Sequence, residues 1–243
     1  MHLVRGSNAS SAWMSAARYL ADQPSYQAWD LAVEIDEPLI EEDAVRAGLD
    51  QRLRESGKQD LQTVANTIFP ATMWATSRNR ETFYRRYEQI LPSLRRFPKN
   101  RHGLYFERLI QWPPGQGAAG CNQLEATIVR LAHQLTLPGP LRFVYDLLTF
   151  SPVNDPQPIG FPCLSYVNVK LQDKRLLMLA HYRNHFFVER AYGNYLGLGR
   201  LQAFIAASVG LKPGPLTCVS AHAELDDHRR PFLSWLRDEA FDP

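Results

Sequence analysis

The sequence predicts one α/β (α+β) domain, a single mixed and twisted β-sheet packed with helices. Three observations carry that expectation. Segments with strand-like alternation and segments with helical spacing interleave along the chain. A pair of alternating segments joined by a short turn directly precedes a long helix that is apolar all round. The 243 residues suit one large-cored domain, and no linker argues for a second, so 1–243 reads as one unit.

The elements follow in order. Residues 12–22 have apolar side chains at helical spacing, with Ser10 or Ser11 as cap. Residues 29–38 alternate and stop at Pro38, as a strand does. Charged residues dominate 41–60, and no element is assigned there. Residues 60–74 read as a helix broken near Pro70. Residues 80–97 are helical, with aromatic and aliphatic side chains on one face and a solvated arginine face opposite. Residues 104–112 suit a strand or a short helix, and 122–135 an amphipathic helix. Residues 141–150 are rich in β-formers, and 151–162 form a proline-rich loop. Residues 163–185 predict two strands turning at Gln172-Asp173-Lys174. Residues 193–211 predict a buried helix that ends near Gly210, and 215–225 a strand.

Composition narrows the function classes. The net charge is +2, from 27 basic and 25 acidic residues, so a broad nucleic-acid surface is not expected. No apolar run reaches the roughly 18 residues of a membrane span, and the N-terminal stretch lacks the apolar centre of a secretory signal. A cytoplasmic protein is the expectation. Cys121, Cys163 and Cys218 are odd in number and lack metal-ligand spacing. The cluster from His222 to His228 matches no strong zinc motif, so no metal is expected.

Four segments taken together resemble the thymidylate synthase and pyrimidine nucleotide hydroxymethylase superfamily. Pro162-Cys163 opens a strand-turn-strand unit. Tyr182-Arg183-Asn184 stands where the family has Gln-Arg-Ser. Gly193-Asn194 stands where it has Pro-Phe-Asn at the start of its buried helix. Residues 210–214 stand where the family leaves that helix for the next strand. The spacing from Cys163 to Arg183 to Asn194 matches without a gap. Upstream, Asn122-Gln123-Leu124 sits where the family has Asp-Gln-Ile, Tyr105 where it has a tyrosine near the base, and Arg142 where it has an arginine pair. The resemblance is clearest over 100–226.

The resemblance implies a thymidylate synthase-like fold and a definite chemistry. Cys163 would attack C6 of a pyrimidine nucleotide of the UMP/dUMP or CMP/dCMP type. That addition makes C5 enolate-like and able to accept a one-carbon unit, with 5,10-methylenetetrahydrofolate as donor. Arg183 would lower the thiol pKa and bind the nucleotide phosphate, for which a planar guanidinium is suited. Asn194, with Asn184 nearby, would read the base. Its amide oxygen accepts from uracil N3–H while its nitrogen donates to O4, and a flipped amide suits cytosine. Cytidylate-specific hydroxymethylases of the family carry Asp there, so Asn194 leans toward a uracil-type base. Tyr105 would help move the C5 proton. The implied assembly is a homodimer with sheets back to back, in which Arg142 crosses to the partner's phosphate.

The pattern also departs from the family. Phe186 replaces an aspartate used with folate, Arg190 a glycine close to the ligands, and Leu164 the histidine that usually follows the nucleophile. Leu141 takes the place of the second paired arginine. The sugar-binding His-x-Tyr falls on Glu224-Leu225-Asp226, whose carboxylates could accept from ribose hydroxyls. The Arg-Thr-Gly phosphate loop has no match better than Arg5-Gly6-Ser7. These losses fall on folate and sugar contacts, and point to a specialised C5-modifying hydroxymethyl- or methyltransferase rather than ordinary dTMP synthesis. Two alternatives stay open: a non-catalytic nucleotide-binding relative, and a cysteine hydrolase pairing Cys163 with His181, His185 or His222. Residue by residue, ordinary structural roles also stay open: a core thiol for Cys163, a helix cap for Asn194, a core ring for Tyr105.

Overall fold

A computed structural model describes residues 1–115, 120–138, 144–157 and 160–238. Strands β1 (His2–Asn8) and β2 (Gln27–Glu37) lie parallel, joined by helix α1 (Ala9–Ala21). Gly6 permits this tight crossover: a Cβ there would stand 2.3 Å from Ala12 N. The cap of α1 is Asn8, whose Oδ1 accepts from Ser11 N at 2.9 Å, while Ser11 Oγ accepts from Asn8 N at 3.1 Å. The serine expected as cap is instead the third residue of a capping box. β1 itself shows no alternation long enough to announce it.

The charged stretch after β2 contains α2 (Asp43–Glu55), held by buried Val45, Leu49 and Leu53 at four-residue spacing. α3 (Leu61–Ile68) and α4 (Ala71–Ala75) are divided at Pro70, as the sequence predicts. α5 (Arg80–Arg95) buries Phe83, Tyr84, Tyr87 and Leu91. Its arginines are less solvated than expected. Arg80 pairs with Glu125, Arg86 donates to Met73 O and Ser77, and Arg95 pairs with Glu107. Residues 104–112 resolve to the short helix α6 (Tyr105–Ile110), and α7 (Gln123–Gln134) follows, capped by Asn122.

Strands β3 (Val144–Leu148), β4 (Leu164–Gln172) and β5 (Arg175–Tyr182) pair antiparallel. The β4–β5 turn places Asp173 and Lys174 at φ 49° and 61°, the two-residue geometry that matches strand twist. After β6 (His185–Phe186) a π-helical turn, Phe187–Ala191, leads into α8 (Tyr192–Ser208), which crosses to β7 (Lys212–Glu224), parallel to β5. α9 (Arg230–Leu236), a helix too short to show a clear period in the sequence, docks Phe232, Trp235 and Leu236.

The strand order is β1-β2-β7-β5-β4-β3, with β6 pairing beside β7. The sheet is therefore mixed, as predicted. Strand register places Val4, Val33, Cys218, Ala180 and Val167 on one buried face, where α1 and α8 pack. The opposite face carries Leu3, Ala32, Val219, His181 and Tyr166 across the same strands. Thirteen of the seventeen residues of α8 are buried because neighbours enclose the helix, with α3 lying across Gly193 and Gly197. A Cβ at Gly197 would stand 2.7 Å from Ala65 O, so this close approach requires glycine.

Candidate active site

The N-terminal end of α8, the π-helical turn and the start of β4 meet helices α3 and α6 around a cavity of about 270 Å³. Cys163 precedes β4 and is half-buried in the cavity wall, its Sγ 3.9 Å from Gly160 O. Tyr105, the first residue of α6, lies beneath it. The phenol oxygen accepts from Cys163 N at 3.2 Å and Leu164 N at 3.3 Å. Both lone pairs are engaged, so the phenol proton is left to be donated. Burial, followed by the proximity of Cys163, raises the Tyr105 pKa, so the phenol keeps its proton at neutral pH. The same arrangement packs Tyr105 on Phe161, with ring centres 4.9 Å apart.

Asn194 faces the cavity from inside α8 and is 4% exposed. It is the third residue of the helix, whose cap position is Ala191, so the cap role fails for it. Its Nδ2 lies 3.0 Å from His185 Nε2, and His185 Nδ1 lies 3.0 Å from Ser220 Oγ. Asn184 also lines the cavity, where its Oδ1 accepts from His222 Nδ1 at 2.5 Å.

Arg183 joins this group from the side. Its guanidinium donates to Pro162 O at 3.1 and 2.8 Å and stacks over Phe150 at 4.8 Å. It therefore clamps the Pro162-Cys163 turn, and its backbone N–H bonds Cys163 O at 2.8 Å. Arg190, from the π-helical turn, lines the cavity directly and is held by Gln59 Oε1 at 2.7 Å. The sequence presents Arg190 only as a lost glycine; in the structure it is a cationic wall. Nothing in its spacing announces this, because the π-helical turn that aims it is set by tertiary packing.

The Cys163 thiol does not carry the depressed pKa expected from Arg183. Burial raises it, and that effect exceeds the opposing pull of Arg183 and then Arg190. The physical reason is that a thiolate in a half-closed apolar wall loses more hydration than two partly solvated guanidinium groups return.

The remaining candidates lie elsewhere. Asp226 accepts from Val188 N at 2.7 Å and Glu189 N at 3.0 Å, capping the π-helical turn from a neighbouring depression. Burial pushes its carboxyl up to about 6. Glu224 pairs with Phe186 and Gln27 in the sheet, outside the cavity lining. Arg142 and Leu141 fall outside the described residues. Arg5 pairs with Glu34 on the sheet surface and Gly6 packs on α1, so the Arg5-Gly6-Ser7 segment is strand and not a phosphate loop.

No imidazole among the described residues bonds the Cys163 thiol. His185 is occupied by Asn194 and Ser220, His222 by Asn184, and His181 stacks on Tyr166 on the opposite sheet face. A thiol–imidazole hydrolase pair is therefore not assembled. Among the described residues, no group of three or more His, Cys, Asp or Glu is placed to hold a metal, and no helix is long and apolar enough to cross a membrane.

A second cavity, about 370 Å³, adjoins the first and shares Gln59, Thr67, Asn100 and Leu104 with it. Its own wall is largely apolar, with Pro70, Met73, Tyr87, Ile90 and Leu94. Phe186 lies on the rim of the first cavity, 36% exposed.

The fold and cavity thus define a mixed α/β protein with a cysteine, an arginine pair and a buried amide grouped at one end of its central helix. Comparison by sequence places it further. The chain is 27% identical over 124 residues to a protein named "Putative thymidylate synthase" from Methanococcoides burtonii, covering 51% of this chain and 52% of that one. The same figures hold for a protein of that name from Methanosarcina mazei. One from Methanosarcina barkeri is 31% identical over 81 residues, covering 33% of this chain and 37% of its own. The chain spans about half the length of the curated relatives it matches. No family model matches it. These similarities point to a distant thymidylate synthase-like relationship.

Proposed function

We propose that the protein is a pyrimidine nucleotide C5-modifying enzyme, a hydroxymethyl- or methyltransferase with Cys163 as nucleophile. One observation carries this reading. Cys163, Tyr105 and Asn194 come from three separate elements and face one cavity near the roughly 300 Å³ lower end for small ligands. With the base seated there, the Cys163 thiolate forms a bond to C6 and the ring electrons move toward C5 and O4. Asn194 Nδ2 donates to O4 as negative charge develops there. Arg190 and Arg183 oppose the desolvation that disfavours the thiolate. The Tyr105 O–H would hold, as a hydrogen-bond donor, a water that takes the C5 proton once C5 is substituted; loss of that proton re-forms the C5=C6 bond as the C6–S bond breaks and Cys163 leaves as thiolate.

A reduced folate such as 5,10-methylenetetrahydrofolate would supply the one-carbon unit when bound. The adjoining cavity, lined by apolar Met73, Tyr87 and Leu94 and by polar Thr63 and Asn66, would offer the donor's aromatic rings apolar contact and hydrogen bonds. A cytoplasmic homodimer completes the reading. The half-open sheet face of Leu3, Val219, His181 and Tyr166 would be the surface that joins two copies.

The test is incubation with a 5-fluoropyrimidine nucleotide, with and without methylenetetrahydrofolate, followed by intact mass. A folate-dependent adduct on Cys163 is expected. A specific observation favours the second reading, a binder without turnover: Phe186 stands where the family has its aspartate, and burial raises the Cys163 thiol pKa. Tight nucleotide binding with neither adduct nor C5 hydrogen exchange would decide for it.

A further inference from the structure

We propose that His185, backed by Ser220, is a positioning residue that fixes which way the Asn194 amide faces and thereby restricts the cavity to uracil-type bases. The inference rests on the pyrimidine reading of the cavity. Three buried side chains form a single line: Asn194 Nδ2 to His185 Nε2 at 3.0 Å, then His185 Nδ1 to Ser220 Oγ at 3.0 Å. An amide nitrogen only donates, so Nε2 accepts and the imidazole carries its proton on Nδ1, which Ser220 Oγ accepts. The ring cannot turn to exchange the two nitrogens. Tyr182 stacks on it at 4.0 Å and 4° from parallel, while Phe187 and Tyr195 meet it edge-on at 5.5 and 6.0 Å.

With one Nδ2 hydrogen turned to His185, Oδ1 and the second Nδ2 hydrogen are left for a ligand, and no protein donor among the described residues reaches Oδ1. A base whose N3 lies against that oxygen must carry a proton there. Uracil does; cytosine presents a lone pair and is repelled. Burial also pushes the His185 pKa down to about 3, so the imidazole stays neutral and the line keeps its polarity through the ordinary pH range.

Ser220→Ala gives the sharpest test. It strips the acceptor from a buried N–H, which favours the other tautomer; Nε2–H then donates to Oδ1 and the amide turns over. Binding of UMP, dUMP, CMP and dCMP to the full chain would be measured by calorimetry for the native protein, Ser220→Ala and His185→Phe. Nitrogen-15 histidine spectra would assign the His185 tautomer without any ligand. The native protein should prefer uracil nucleotides and show His185 protonated on Nδ1. Ser220→Ala should reduce the preference about tenfold or more, with the tautomer reversed. His185→Phe should also flatten the ratio, and the tautomer spectrum keeps the inference testable if that variant does not fold. A native preference for cytosine, or an Nε2-protonated native His185, overturns the inference. If the native protein prefers uracil and Ser220→Ala keeps both ratio and tautomer, the pyrimidine reading stands and the lock does not. If no pyrimidine nucleotide binds, both fail together.

Discussion

Replacing Asp155 with alanine would leave Arg108 charged, enclosed and without its counter-ion. The pair is 5% and 4% exposed. Arg108 Nη1 donates to Asp155 Oδ2 at 2.5 Å and Nη2 to Oδ1 at 2.7 Å, and the same carboxylate accepts from Ser151 N at 2.9 Å. The variant would lose two charge-assisted bonds and orphan one backbone N–H. Thr149 O at 2.7 Å, His102 O at 3.1 Å and the Phe161 ring at 4.7 Å would still face the guanidinium. Removing one partner of a buried pair costs about 3–5 kcal/mol, and the retained carbonyls favour the lower end, about 3 kcal/mol. Arg108 Nε already has no partner among the described residues, so little slack remains. The double variant Arg108→Met with Asp155→Leu removes both charges and should lose only about 0–2 kcal/mol. Urea unfolding measures each value. Because Phe161 stacks between Arg108 and Tyr105, beside Pro162-Cys163, alkylation of Cys163 should also accelerate in Asp155→Ala. A single-variant loss under about 1 kcal/mol, or a double variant that loses the sum of both singles, would refute the argument.

Four other outcomes are expected. Iodoacetamide should alkylate Cys163 at a higher pH than an ordinary thiol of pKa about 8.5, and Arg190→Ala should move the midpoint higher still, since it removes a stabiliser of the thiolate; an unmoved midpoint in the variant would count against the cationic wall. His185, at about 3 in the fold and about 6.5 unfolded, takes up its proton only on unfolding within that window. Its contribution is fully present above about pH 6.5 and is lost as pH falls toward 3, at up to about 1.4 kcal/mol per pH unit; denaturation of native and His185→Phe proteins between those limits checks the slope. Gly197→Ala sets a Cβ 2.7 Å from Ala65 O and should cost about 1–2 kcal/mol after the gain in helix propensity, read by thermal unfolding; a stabilised variant would mean α3 gives way freely. Leu179→Arg places a charge on the half-open sheet face and should yield a monomer in sedimentation if that face joins two copies; an unchanged mass would remove this face from the assembly.

Much of the fold was legible because hydrophobic period is local. The break at Pro70, the β4–β5 turn at Asp173-Lys174 and the fully enclosed α8 all follow from short-range pattern. α2 is announced only by the four-residue spacing of Val45, Leu49 and Leu53, which the surrounding charge obscures. β1 was not: seven residues with Gly6 at the centre gain strand character only from pairing with β2.

For the site, the sequence by itself determined the cast along the chain: Cys163 at a strand start, Arg183 at a strand end, Asn194 in the buried helix. Tertiary structure decided what each one does. It turned Arg183 onto the carbonyls of Pro162 and Gly160, aimed Arg190 at the cavity through a π-helical turn, and moved Asp226 to cap that turn. It also reversed the direction of the Cys163 shift, because desolvation depends on everything that surrounds a group and charge spacing along a chain does not record it. The line from Asn194 through His185 to Ser220 joins residues 35 apart across two strands, a relation that exists only once β5, β6 and β7 are side by side.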